Sequence, residues 1–127
     1  MKAIQPTFLL LVSLLFAGLV QAAGVERGQF TTAVIDREPV DEVIEVGPEQ
    51  DRITYFTELR DLTGHQVTHQ WMYDDSVMFE KTFSIGGPRW RVWSSKNLRP
   101  EWTGTWIVNT LDVDGTLLMT QSFNRKY

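Results

Sequence analysis

From Arg52 onward the chain repeats one pattern, in which apolar side chains hold every second position of a short run and turn-forming residues end it. Arg52 to Leu59 sets Ile53, Tyr55, Thr57 and Leu59 against Thr54, Phe56 and Glu58. Gln66 to Tyr73 sets Val67, His69, Trp71 and Tyr73 against Gln66, Thr68, Gln70 and Met72, and Val77 to Ile85 lines up Val77, Phe79, Phe83 and Ile85. A period of two belongs to a strand with two unlike faces, and no stretch carries the wider period of an amphipathic helix. Leu62-Thr63-Gly64, Asp74-Asp75, Gly86-Gly87-Pro88 and Asp114-Gly115 are the breaks between runs. About seven or eight short strands punctuated in this way predict an all-β fold, an antiparallel immunoglobulin-like β-sandwich.

Details of the pairing follow from the same reading. Gln66 to Tyr73 is the expected hairpin partner of Arg52 to Leu59. Lys81 interrupts an apolar face, which predicts either a sheet edge or a bulge there. Asp114-Gly115 is the strongest local turn signal and predicts a two-residue turn of the primed type between Thr105–Leu111 and Leu117–Phe123. Upstream, Val25 to Asp36 reads as a strand buried on part of both faces, whereas Val40 to Val46 fits either a strand or a single helical turn.

Residues 1–22 read differently. Lys2, the apolar run Phe8 to Val20 and the small-residue site Val20-Gln21-Ala22 predict a secretory signal peptide, cleaved before Ala23. Residues 23–127 then form one β-sandwich domain, with a periplasmic or secreted location and no membrane span after cleavage. The sequence contains no cysteine, so neither a disulfide nor a lipid-bearing cysteine is available, and packing alone has to hold the domain. Loss of Lys2 takes the formal net charge from −4 to −5, which argues against nucleic acid as a partner.

The motifs that suggest chemistry each have a plainer reading. His65-Gln66-Val67-Thr68-His69 resembles the two-histidine zinc motif, but Gln66 stands where a glutamate would activate water, and four strand residues spread the histidines over about 13 Å. Ser94, Ser95 and Lys96 would need a buried lysine to act as a nucleophile and its base. Asp112-Val113-Asp114-Gly115 begins like a calcium loop without its closing glutamate, and a hairpin turn accounts for it. Glu58, Asp61, Asp74, Asp75 and Glu80 offer carboxylates, yet nothing brings two into one cleft. Neither a metal site nor a cofactor is expected.

The segment Gly86 to Gly104 carries three of the five tryptophans together with Arg89, Arg91, Lys96 and Arg99. Alternation puts Trp90, Val92 and Ser94 on one face and Arg89, Arg91, Trp93 and Ser95 on the other. Aromatic faces stack on sugar rings, and arginines beside them bond carboxylates or stack on the rings themselves. In the structural alternative, Trp90 and Trp106 are core and the arginines pair with Glu58 and Glu80.

Four runs carry a family resemblance: F-T-T-A-V-I-D-R-E-P-V, Y-F-T-E-L-R-D-L-T-G-H-Q-V-T-H-Q-W, R-W-R-V-W-S-S-K-N-L and W-T-G-T-W-I-V-N-T-L-D-V-D-G-T-L-L. Over nearly all of Phe30 to Phe123 the chain resembles the bacterial family known as domain of unknown function twenty-nine fourteen. The resemblance implies an exported or membrane-tethered domain with a sandwich-like fold, and it brings no activity, cofactor or catalytic residue. The final run is also similar to the last hairpin of immunoglobulin-like modules. The functional expectation is a non-enzymatic binding or interaction module of the cell envelope, with an envelope protein or glycan as partner. Its binding surface comprises Arg89, Arg91, Trp93, Lys96 and Trp102 beside Glu58, His69 and Trp71. One alternative is a small hydrolase using Glu58 or His69 as base; another is a structural domain whose partner surface lies elsewhere. Oligomeric state is not legible.

Overall fold

Ten strands and no helix occur among the described residues, 23–127, of the computed structural model. The expected signal peptide lies outside those residues. The strands are β1 (Gly24–Thr31), β2 (Val34–Ile35), β3 (Glu38–Pro39), β4 (Glu45–Val46), β5 (Arg52–Arg60), β6 (Gln66–Tyr73), β7 (Ser76–Ser84), β8 (Arg89–Asn97), β9 (Gly104–Leu111) and β10 (Leu117–Arg125). One sheet has the order β1-β5-β8, the second β4-β10-β9-β6-β7, and β2-β3 is a separate two-stranded ribbon. Counting the seven long strands alone, the first, second and fifth face the seventh, sixth, third and fourth, an immunoglobulin-like order. The segment that read ambiguously as strand or helix supplies only β4, which pairs in parallel with the end of β10.

Two local expectations are corrected. β5 and β6 are not hairpin partners: β5 lies between β1 and β8, and β6 lies between β9 and β7. Residues 61–65 carry the chain from one sheet to the other, fastened by Asp61 N–H to Pro88 O at 2.8 Å and Gly64 N–H to Ile85 O at 2.8 Å. Alternation cannot separate these cases, because hairpin partners and strands on facing sheets both turn alternate residues inward. The primed turn sits at Asp74-Asp75, where both residues have positive φ (52° and 61°) between the paired Tyr73 and Ser76. Asp114-Gly115 instead belongs to a wider loop in which Gly115 alone has positive φ (86°). The Asp112 carboxylate accepts the Val113 N–H at 2.7 Å and that of Asp114 accepts the Thr116 N–H at 3.0 Å, which holds the wider form.

Lys81 is on an edge strand, opposite His69 and therefore on the inward face, while the slip in register falls at Met78, between Trp71↔Phe79 and Met72↔Val77. An inward-pointing lysine and a bulge both discourage further strand pairing.

The interior has two apolar clusters. Phe30, Ile53, Tyr55, Trp71, Trp106 and Phe123 dominate the larger; Leu59, Leu62, Val67, Ile85 and Val92 form the smaller. In place of a disulfide, aromatic contacts span the sheets: Phe30 on β1 lies edge-on to Phe123 at 4.8 Å and to Trp71 at 6.2 Å. A belt of buried polar side chains, Thr57, His69, Ser94 and Thr110, runs through the interior.

The two long sides of the sandwich differ. On one, β1 lies against β10, Phe30 bridges to Val43, and β4 adds to β10. Gly28 permits this closure, since a Cβ there would lie 2.5 Å from Gln121 Oε1 and 2.8 Å from the Tyr55 hydroxyl. On the other side, β7 and β8 end their sheets without pairing. Replacing Gly28 with Val should force Gln121 and Tyr55 apart and lower stability by about 1–3 kcal/mol, read from the midpoint of urea unfolding; an unchanged midpoint would show that β1 and β10 have room to spare.

Candidate functional site

β5 runs down the middle of the three-stranded sheet, and its outward residues set up rows with their neighbours. Arg27, Glu58 and Arg91 stand side by side across β1, β5 and β8, Gln29, Phe56 and Trp93 form the next row, and Arg60 faces Arg89 on the other side. Directly paired residues point to the same face of a sheet. Arginines therefore surround Glu58, which is 2 % exposed.

The charges are closely matched. Arg27 donates to Glu58 Oε1 from Nη2 at 2.8 Å and from Nε at 3.1 Å, Arg89 donates from Nε to Oε2 at 3.0 Å, and Arg60 donates from Nε to Oε2 at 3.3 Å. Glu38, on the β2-β3 ribbon, accepts from Arg27 Nη2 at 2.9 Å and from Arg91 Nη1 at 2.6 Å. The Arg27 guanidinium lies 5.1 Å above the Phe56 ring, and the indole of Trp93 stacks near that ring at 6.5 Å. The Arg89 bonds, opposed by burial and reinforced by Arg27 and Arg60, hold the Glu58 carboxyl down at about 2. The Glu38 carboxyl is lowered by Arg27 and Arg91. Four guanidiniums and two carboxylates leave this face with a surplus of positive charge on a chain of net charge −4.

The residues expected to form one surface occupy three places. Arg89, Arg91 and Trp93 share the outer face with Glu58. Lys96 and Trp102 lie at the far end of β8, where the Lys96 ammonium is 4.9 Å from the indole and the Arg99 guanidinium 5.6 Å. Trp102 also covers Tyr73 and Trp106 at the end of the larger core cluster. His69 and Trp71 do not join any surface, because both face inward from β6 and are fully buried. Trp90 begins on the inward face, but at the strand end it folds over Gly86 and Gly87 and stays 38 % exposed. Arg91 pairs with Glu38, and Glu80 instead accepts from Gln70 at 2.9 Å. Arg27, Arg60 and Glu38 were missed because only the pairing of β1, β5 and β8 brings them to Glu58 and Arg91.

His69 belongs to a chain of hydrogen bonds between the sheets. Its Nε2 is 2.9 Å from Thr57 Oγ1, its Nδ1 is 2.8 Å from Ser94 Oγ, and Trp71 Nε1–H donates to Ser94 Oγ at 2.9 Å. Thr57 Oγ1 is 3.5 Å from Val92 O. Every proton finds an acceptor when Ser94 donates to Nδ1, Nε2–H donates to Thr57, and Thr57 donates to the carbonyl, which assigns the Nε2–H tautomer of neutral histidine. Burial, with the Lys81 charge nearby, pushes the His69 ring down to about 3. Ser94 and His69 stand at the separation of a nucleophile and its base, but both are sealed in the core. His65 is apart from them and donates from Nδ1 to Asp112 Oδ1 at 2.8 Å.

Both shifts act in the same direction on folding. Unfolded His69 takes up a proton below its ordinary 6.5 and unfolded Glu58 below 4.5, whereas the folded groups resist protonation until about 3 and about 2. Stability should thus be complete above pH 6.5 and decline as pH falls, with His69 alone contributing on the order of a few kcal/mol. Urea unfolding as a function of pH measures the decline, and histidine ring NMR should show His69 unmoved between pH ~7 and ~5. Changing Glu58 to Gln should cost about 1–3 kcal/mol, because three guanidiniums lose their anion.

The sequence was compared with protein-family models and with curated proteins. The family model described as "Protein of unknown function (DUF2914)" matches residues 64–124, from the turn before β6 almost to the end of β10. The runs upstream of Gly64 fall outside this match, so it is narrower than the resemblance drawn from Phe30 onward. No curated protein matches the chain. Over residues 64–124, which include the whole Arg89-Trp90-Arg91-Val92-Trp93 run, the match supports the family of proteins of unknown function DUF2914.

Proposed function

We propose that the domain is a non-enzymatic binding or interaction module of the bacterial cell envelope, and that it meets a protein partner along its β8 side. The observation that carries this reading is the juxtaposition of half-buried Trp93 and Arg91 with an unpaired sheet edge. A protein suits this surface better than a glycan. A sugar ring needs a free aromatic face, whereas Trp93 is stacked near Phe56 and Trp102 already has Lys96 and Arg99 against its ring. Export supplies the compartment: residues 1–22 have the composition of a signal peptide. Protein recovered from the periplasm should begin at Ala23.

The hydrolase alternative has less support. A general base has to be within reach of its substrate and to titrate near the working pH. Glu58 is occupied by three arginines and held at about 2, and His69 is enclosed between the sheets. The structural alternative is separated by experiment. Trp93→Ala and Arg91→Ala should each abolish retention of the purified protein on isolated envelope protein fractions while keeping a cooperative thermal transition. Retention equal to that of the parent would move the partner surface elsewhere on the domain.

A further inference from the structure

The four edges of the two larger sheets are protected unequally. β4 is only two residues long. β1 has a shift of register between Val25 and Arg27 and a bridge from Phe30 to Val43. β7 carries the Met78 bulge and the inward Lys81. β8 has none of these devices: it pairs with β5 through nine consecutive residues, Arg89 to Asn97, without a shift and without proline. In an antiparallel ladder each residue turns its backbone N–H and C=O either toward its partner or away from it. Beyond the β5 ladder, the backbone bonds in this region are made just outside the strand, by Pro88 O and Leu98 N, so among the described residues the other side of β8 is unpaired. Such an edge is a template for another strand.

The side chains beside that edge specify what would fit. On the outer face the row Arg27–Glu58–Arg91 alternates in sign and ends on a cation at β8, with Arg89 two residues away. An acidic residue placed beside each would continue the alternation. Beside this edge an open cleft of about 310 Å³ lies between β7 and β8, where inward-facing Lys81, Phe83 and Val92 meet the edge positions Arg91 and Trp93. Lys81 lies 5.5 Å from the Phe83 ring and makes no ion pair among the described residues. Residues of an added strand turned toward this cleft would be apolar.

We propose that β8 accepts an added strand from a partner protein, an extended segment in which acidic and apolar residues alternate. Main-chain bonds to β8 supply the attachment, Arg89 and Arg91 select the acids, the Phe83–Val92 cleft selects the apolar positions, and the charge of Lys81 beside that cleft adds to the positive field that draws an acidic segment. A second copy of this chain pairing through its own β8 fits less well, since its β8 brings Arg89, Arg91 and Lys96 to the join and no acidic residue. The proposal rests on the reading of the domain as a binding module and adds the mode and chemistry of recognition.

The test uses the purified protein and a fluorescein-labelled ten-residue peptide alternating glutamate and valine. Its controls are a peptide with lysine for glutamate and one with the same residues in blocks. Anisotropy should show saturable binding of the alternating acidic peptide alone, weakened at least about tenfold by Arg91→Glu and by Lys81→Glu and reduced by added salt. Lys81→Glu keeps the test decisive if the Arg91 variant loses its pairing with Glu38 and unfolds. Amide hydrogen exchange should slow in β8 when the peptide binds and stay unchanged in β1. Equal binding of the three peptides, or no added protection in β8, would overturn the proposal. A dimer in sedimentation with β8 protected in the absence of peptide would overturn it in favour of a second copy. If the peptide fails while Trp93→Ala still abolishes envelope retention, strand addition falls and the binding module stands.

Discussion

The hydrogen-bond chain through His69 is the constraint on which the arrangement of the two sheets depends. Apolar side chains can slide over one another at little cost, so packing alone leaves the offset between two sheets loosely fixed. A neutral imidazole with one donor and one acceptor does not slide in this way. His69 on β6 meets Thr57 on β5 and Ser94 on β8, and Trp71 completes the valence of Ser94. Displacing either sheet would leave several buried polar groups bare, each costing about 1–3 kcal/mol. Burial of such a network is worthwhile only if all its members are satisfied, and here the bonding of Trp71, Ser94, His69, Thr57 and the Val92 carbonyl is complete.

A second network does on the outer face what the first does inside. β5 is buried on both faces over most of its length, an unusual position for an outward-facing glutamate. The three arginines make it possible by bringing their own charge and covering the carboxylate with their stems. Arg27 also reaches Glu38, so the β2-β3 ribbon is tied to the face that it borders. The outer face is consequently a fixed pattern of charge, with Arg91 and Trp93 held in place at the boundary where the sheet stops.

The strands were legible from alternation in the residues themselves, which burial follows most plainly in β6, β8 and β9, and the run Arg89 to Ser95 divides at Val92 and Ser94 as its period requires. Partner choice was not legible, since the inward face of β5 is the same whether β6 lies beside it or opposite it. The turn at Asp74-Asp75 was placed correctly, but its conformation was assigned to the more glycine-rich Asp114-Gly115, where side-chain bonds to the loop backbone decide otherwise. Of the candidate site, the placing of Arg89, Arg91 and Trp93 on one face follows from alternation alone, whereas Glu58 joins them only through the pairing of β5 with β8. The removal of His69 and Trp71 to the interior follows from β6 sitting on the other sheet. Arg27 and Glu38 gave no local signal, as their roles come from contacts spanning 31 and 53 positions of sequence.

Closure of the sandwich along β1 and β10 has a mechanical consequence. With Gly28 allowing the two strands to meet on one side and β7 and β8 unjoined on the other, the sheets are arranged like the covers of a book whose spine runs past Tyr55 and Gln121. At the opposite margin, where Lys81, Phe83 and Trp93 line the gap, the turn between β7 and β8 stitches one cover to the other at a single corner, with Ile85 N–H held to His65 O at 3.0 Å, and the rest of that margin is open.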